Sequence, residues 1–204
     1  MNHRYFIVYK PYHMVSQFVS PYEQPLLGDL NFPFPEGTNA VGRLDEDSEG
    51  LLILTTDKTL TTRLLHPDKK HLRHYQVQVK GKVEPQTLTV LGQGLDIIIK
   101  RRGIYHTKAC EVKLIEPPSD LAEREDPVHE FVEHSWLEFV LTEGKNRQIR
   151  KMCAAVNHVC KRLIRTKIEQ LELGTMKPGE VKELSKETIF ELLLLKNEYT
   201  HKEE

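Results

Sequence analysis

Cysteine is scarce, with only Cys110, Cys153 and Cys160 in 204 residues, an odd number without C-x-x-C spacing. That argues against a disulfide scaffold and against a zinc ribbon, and three reduced, buried thiols are expected instead. No apolar run approaches the ~18 residues of a membrane-spanning helix. The amino terminus, Met1-Asn2-His3-Arg4-Tyr5-Phe6-Ile7-Val8, has no signal-peptide core and leads straight into a strand-like stretch, so the cytoplasm is the expected compartment. Charge of either sign is not in excess: 29 Lys+Arg stand against 30 Asp+Glu. A balance of that kind looks like indifference to nucleic acid, but a total says nothing about distribution. At 39% hydrophobic and 29% charged the chain reads as globular. Its length suits one large domain or two small lobes that bury roughly 70% of the unfolded surface, so no metal or disulfide staple is needed.

The charges are sharply segregated. Arg63 to Lys82 holds six Lys/Arg and one acid, net +5, and Thr142 to Lys167 holds eight and one, net +7. Glu36 to Asp57 carries six acids and one base, net -5, and Glu116 to Glu138 eight acids and one base, net -7. The neutral total is therefore a cancellation, and a phosphate-facing surface can coexist with acidic faces.

Tyr5 to Tyr9, Leu51 to Thr55, His74 to Val79, Cys110 to Ile115 and Trp136 to Leu141 are β-rich or alternate at period two. Asp57 can cap a short helix ending at Pro67, and Ser185 a final helix through Leu193, followed by a tail to residue 204. From Asn146, the apolar residues Ile149, Met152, Cys153 and Val156 form one helical stripe, with Arg147, Arg150 and Lys151 on other faces. Ser20 to Gly37 and Pro117 to Val128 read as loops. The pattern predicts an α+β fold around a mixed or antiparallel sheet.

Asp45, Glu46, Asp47 and Glu49 place four carboxylates in five residues. Asp45, Asp47, Glu49 and Gly50 match positions 1, 3, 5 and 6 of a calcium loop, but position 12 is Thr56, which cannot supply the bidentate ligand. Arg43, two residues before Asp45, points the same way in extended chain, and a carboxylate beside guanidinium groups is held ionised as a nucleophile or base. Glu143-Gly144-Lys145-Asn146-Arg147-Gln148-Ile149-Arg150-Lys151-Met152 combines a glycine with a basic helix start, a pattern suited to phosphate. Tyr75, in Arg73-His74-Tyr75-Gln76-Val77, is either a strand aromatic or a ring on which a base stacks. His66, His71 and His74 lack cysteine or carboxylate partners at zinc spacing.

Together these segments resemble the RsuA family of ribosomal RNA pseudouridine synthases. The matching residues are Tyr9-Lys10-Pro11 with Val15-Ser16-Gln17, Gly42-Arg43-Leu44-Asp45 through Gly50-Leu51-Leu52, Tyr75 in its strand, Glu143 to Met152, and Leu173-Gly174 with Lys177-Pro178-Gly179-Glu180. They follow in family order over residues 5 to 184. The resemblance implies a single bilobed catalytic domain over residues 1 to 204, without the S4 RNA-binding domain of many relatives, closest to the large-subunit synthase E subgroup. It implies Asp45 as the catalytic aspartate, Tyr75 as the active-site tyrosine and Arg150 as the arginine paired with the aspartate. Arg43, Ile149, Lys145, Arg147 and Lys151 are the expected substrate-binding residues. No cofactor or metal is implied, and the partner is ribosomal RNA, most naturally that of the large subunit, met by a monomer. The competing readings are a non-catalytic RNA-binding or ribosome-assembly module and a synthase acting on small-subunit RNA.

Overall fold

In the computed structural model, which describes residues 2–66, 70–124 and 132–195, one nine-stranded sheet organises the chain. Its strands are β1 (Tyr5–Lys10), β2 (Asn39–Ala40), β3 (Glu49–Thr55), β4 (Arg73–Lys80), β7 (Glu111–Ile115), β8 (His134–Leu141), β9 (Cys160–Ile168), β10 (Leu171–Glu172) and β11 (Val181–Leu184). The order is β11-β1-β3-β9-β4-β8-β7, with β2 added to β3 and β10 to β9. A separate hairpin pairs β5 (Asp96–Ile99) with β6 (Gly103–His106). Among the described residues four helices complete the α+β architecture: α1 (Lys58–Leu65), α2 (Pro85–Gln93), α3 (Gln148–Ala155) and α4 (Lys186–Leu192).

The central strands β1 and β3 are buried along their whole length, as near-continuous apolar runs covered on both faces should be. On one face Tyr5, Ile7, Leu51 and Ile53 pack with α1 and α4; on the other, Phe6, Val8, Leu52 and Leu54 pack under the loop residues Phe32 and Phe34. β4 alternates instead, burying Tyr75, Val77 and Val79 against β8 and α3. Between these bodies runs the sheet's parallel pairing, β3 with β9 at Glu49–Gly50 and Ile164–Arg165. Gly50 sits there at φ +100°, and a Cβ would collide with the Arg165 carbonyl, so the joint requires glycine.

Both helix caps read from sequence are present: the Asp57 carboxylate accepts from the Thr59 N–H at 2.9 Å and the Ser185 hydroxyl from that of Thr188 at 3.1 Å. The basic helix starts at Gln148 rather than Asn146, because Arg147 adopts the left-handed conformation at φ 52° and ends the loop. Strand β9, helix α2 and the β5–β6 hairpin are additions that the sequence reading did not contain. The loop from Ser20 to Gly37 holds only a short 3-10 turn at Leu27–Asp29. Residues 117–124 carry no helix or strand, while the rest of that expected loop and the tail beyond residue 195 lie outside the described residues. All three cysteines are free; Cys153 and Cys160 are buried, whereas Cys110 is only partly so.

Candidate active site

Asp45 lies in a tight turn just before β3, where the Ser48 N–H donates to the Asp45 carbonyl at 3.0 Å. The turn is locked on both sides of Asp45 by side chains from the Lys10-to-Ser16 segment. The Ser16 hydroxyl donates to the Leu44 carbonyl at 2.8 Å and accepts from the Leu44 N–H at 3.0 Å. Lys10, wholly buried, donates to the carbonyls of Pro11 (2.7 Å), Met14 (2.6 Å) and Glu46 (3.3 Å). Burial lowers the Lys10 amine to about 8, against the opposing pull of Glu49, Asp47, Glu46 and Asp45.

The carboxylates that suggested a calcium loop are turned toward arginines instead, Glu49 toward Arg162 and both Asp47 and Asp45 toward Arg147. Glu49 is buried and held by Arg162 through two bonds of 2.9 and 2.8 Å. Asp47 receives both Nη groups of Arg147 at 2.9 and 2.6 Å, and Arg150 Nε stands 3.3 Å from it. Burial pushes the Asp47 carboxyl up, but Arg147 and Arg150 outweigh it and hold it below the usual range. Asp45 is left with a long contact, 3.8 Å to Arg147 Nη1, and a side chain 40% exposed. Among the described residues no group of three or more His, Cys, Asp or Glu is arranged to hold a metal ion.

The expected Asp45–Arg150 ion pair is therefore corrected. Arg150 leans out of α3 onto Asp47, donating also to the Asp47 and Cys160 carbonyls, because Asp47 follows Asp45 around the turn and reaches the helix first. Its side chain is only 12% exposed, so it belongs to the buried frame of the site, not to a basic surface. Lys151 folds back onto Asn146, donating to its backbone and side-chain oxygens at 2.8 and 3.1 Å, and stands outside the residues that line the cleft.

The remaining expected residues meet in one cleft of about 810 Å³, where Arg43, Asp45, Tyr75, Lys145, Arg147, Ile149 and Arg150 are brought together from three stretches of chain. Two residues to which the sequence assigns no role of their own complete its polar frame. Arg165, on β9, is buried beside Tyr75; its Nε donates to the Leu51 carbonyl at 2.8 Å, and its Nη2 has no hydrogen-bond partner. Burial lowers the Arg165 guanidinium from its ordinary value. Glu143 fastens the basic loop: its carboxylate accepts from the Tyr105 hydroxyl (2.6 Å), the Lys108 N–H (2.9 Å) and Gln148 Nε2 (2.8 Å). Burial pushes Glu143 up, but these three bonds hold it below the ordinary carboxylate range. The lining thus offers seven cations, Arg43, Arg73, Lys108, Lys145, Arg147, Arg150 and Arg165, against two carboxylates, Asp45 and Glu143. Glu143 is fully engaged, and Asp45 is the carboxylate open to a ligand. No sequence signal marks Arg165 or Glu143 as different from the other charges of their blocks, since burial is what distinguishes them.

The family model described as RNA pseudouridylate synthase matches residues 4–155. The chain is 37% identical over 171 residues to "Ribosomal large subunit pseudouridine synthase E" of Xanthomonas axonopodis, covering 83% of this chain and 87% of that one. It is 35% identical over 185 residues to the protein of the same name from Vibrio parahaemolyticus, covering 90% and 74%. Among solved structures, one titled "Crystal structure of pseudouridylate synthase" superposes with a TM-score of 0.75 at 22% identity, over 94% of this chain and 75% of that chain, and shares the fold.

Proposed function

The chain belongs to the RNA pseudouridylate synthase family, and from that premise we propose that it converts one uridine of large-subunit ribosomal RNA to pseudouridine through Asp45. The observation that carries the reading is the open Asp45 carboxylate in an otherwise cationic cleft. Anionic RNA is drawn to such a cleft, and the carboxylate inside it is held for chemistry rather than for binding phosphate.

In the reaction the C1′–N1 bond breaks, the uracil turns, and a C1′–C5 bond forms; the C5 hydrogen leaves as a proton and N1 gains one. No electrons are exchanged and no water is consumed. The base must leave its stack first, at a cost of a few kcal/mol recovered through contacts to backbone and pocket. Arg43, Lys145 and Arg147 supply the backbone contacts at the cleft rim. Asp45 acts on the flipped nucleotide, as a nucleophile at C1′ or C6 or as the base that takes a ribose proton; each role needs the same exposed carboxylate on the same rigid turn. Tyr75 stacks on the uracil and assists the proton transfer at C5, with Ile149 against the base. Arg150 positions Asp45 indirectly, by holding Asp47. The enzyme works on this reading as a cytoplasmic monomer without a cofactor.

Tritium release from transcripts carrying [5-³H]uridine tests the reaction. Wild-type protein is expected to release tritium, while Asp45→Asn loses at least about a thousandfold in rate with RNA affinity nearly unchanged. Near-normal turnover in Asp45→Asn overturns the assignment, and silence of the wild type on every ribosomal transcript favours a binding module instead. Pseudouridine mapping with and without the gene identifies the substrate: loss of a large-subunit position supports it, and loss in small-subunit RNA alone overturns it.

A further inference from the structure

The β5–β6 hairpin takes no part in the large sheet or the Asp45 turn. Ile97, Ile99 and Tyr105 pack inward with α3 and β8. The other face is bare: Ile98 and Ile104 stand directly opposite each other and are 74% and 75% exposed. One end of this apolar pair is bounded by the Asp96–His106 contact at 2.8 Å, the other by the turn Lys100-Arg101-Arg102. All three turn residues are exposed, and among the described residues none of them pairs with a carboxylate.

The hairpin is rooted at the cleft. The Tyr105 hydroxyl bonds Glu143, the same carboxylate that holds the basic loop, and Lys145 Nζ lies 4.7 Å from the Tyr105 ring centre. Lys108, two residues past β6, lines the cleft. From Tyr105 to the turn is three strand residues, about 10 Å. An arm of that length carries its cations beyond the cleft while its root is bonded to the basic loop.

Three neighbouring cations on one tight turn repel each other, and the opposed isoleucines, although they pair across the hairpin, keep most of their apolar surface in water. A nucleic-acid strand satisfies both, since phosphates neutralise the turn and ribose and base faces cover the apolar pair. We propose that the β5–β6 hairpin is an RNA-gripping arm that holds the strand flanking the target uridine. The turn Lys100–Arg102 meets phosphates, and Ile98 with Ile104 lies against the sugar and base faces. The proposal rests on the reading of RNA as substrate and adds a site that fixes which flanking structure the enzyme accepts.

The test compares wild type with the triple variant Lys100→Ala, Arg101→Ala, Arg102→Ala and with the double variant Ile98→Ser, Ile104→Ser. RNA affinity is measured by filter binding across salt concentrations, and KM and kcat by tritium release. With each phosphate contact worth about 0.7 to 0.9 of log–log slope, the triple variant is expected to lose about 2 to 3 of slope. Its KM rises at least about tenfold, the loss expected from several phosphate contacts, while kcat is maintained. The double variant weakens binding without changing the slope. Arg101→Lys with Arg102→Lys keeps the charge and restores the slope, which a misfolded hairpin would not. Unchanged slope and KM in the triple variant overturn the arm, as does a loss confined to kcat, which would make the hairpin a prop for Glu143. Binding of the hairpin face to an acidic protein with RNA affinity unaltered also overturns it. A wild type that binds with the hairpin-dependent slope but releases no tritium fails the proposed reaction and leaves the arm standing; turnover with a hairpin-independent slope fails the arm alone.

Discussion

The two sides of the cleft are fastened in different ways. The Asp45 turn is clamped through its backbone by buried groups, Ser16 on Leu44 and Lys10 on Glu46. The Glu143-to-Arg150 loop is gathered by a single carboxylate that takes three bonds, from β6, from the segment that follows it and from α3. One side is rigid because its polar groups have no water to turn to, the other because one charge organises it. A reacting carboxylate benefits from the first arrangement, since small displacements are costly in rate. Cations that must receive a large ligand benefit from the second, and Arg147, 41% exposed, is the part of it free to exchange Asp47 for phosphate.

The sharpest way to break the rigid side is at its joint with β9. Gly50→Ala places a methyl group inside the Arg165 carbonyl at a backbone angle that L-residues avoid. Strain and displacement together are expected to cost about 3 kcal/mol or more, read as a drop in denaturation midpoint with loss of turnover. A variant of native stability would mean that the parallel pairing is looser than the geometry implies.

Next in size is Lys10. Its ammonium has three donors for three carbonyls, and Lys10→Met leaves one buried and two part-buried acceptors unpaired, an expected loss of about 2 to 3 kcal/mol after the relief of removing a buried charge. The pH dependence has a definite sign. Because the folded-state value is lowered to about 8 from 10.5, folding itself costs less as pH rises through that interval. The neutral amine, however, has only two donors, so the longest bond, to Glu46, is released. Stability rising while turnover falls between about pH 8 and 10 is the signature expected in wild type and absent from Lys10→Met. Stability and turnover moving together would show that the clamp does not depend on the charge.

How far this was legible beforehand follows the same division. The strands β1, β3, β4, β7 and β8, the caps at Asp57 and Ser185, and the segments carrying Asp45, Tyr75 and Ile149 follow from alternation, capping chemistry and motif. Strand β9 was not legible, because Cys160-Lys161-Arg162-Leu163-Ile164-Arg165-Thr166-Lys167-Ile168 reads as a charged block. Its Arg162 and Arg165 are buried only because Glu49 and the Leu51 carbonyl, more than a hundred residues earlier, receive them. Asp47 was hidden by its neighbour: both carboxylates lie near arginines in sequence terms, and only the turn's curvature gives Arg150 to one and leaves the other open. The hairpin lacked a signal because its apolar face is half outward, which blurs the alternation that marks a strand.

The smallest expected effect, and the most discriminating, is at the organised side. Glu143→Gln keeps the size and one acceptor oxygen but removes the charge that draws in Tyr105, Lys108 and Gln148. A charged acceptor is worth about 1.5 to 3 kcal/mol where a neutral one gives about 1, so a stability loss of about 1 to 2 kcal/mol is expected. The folded carboxyl lies below its ordinary value, so its contribution is present above about pH 4.5 and is lost as pH falls through the lowered value. Wild type and variant should therefore converge in stability toward acid and separate near neutrality. In turnover the variant should raise KM more than it lowers kcat, because the loop and the hairpin root carry RNA contacts while the Asp45 turn is fastened elsewhere. A fall in kcat at constant KM would mean that the two sides of the cleft are mechanically one, and that the Glu143 cluster transmits its order to Asp45 through Arg147 and Asp47.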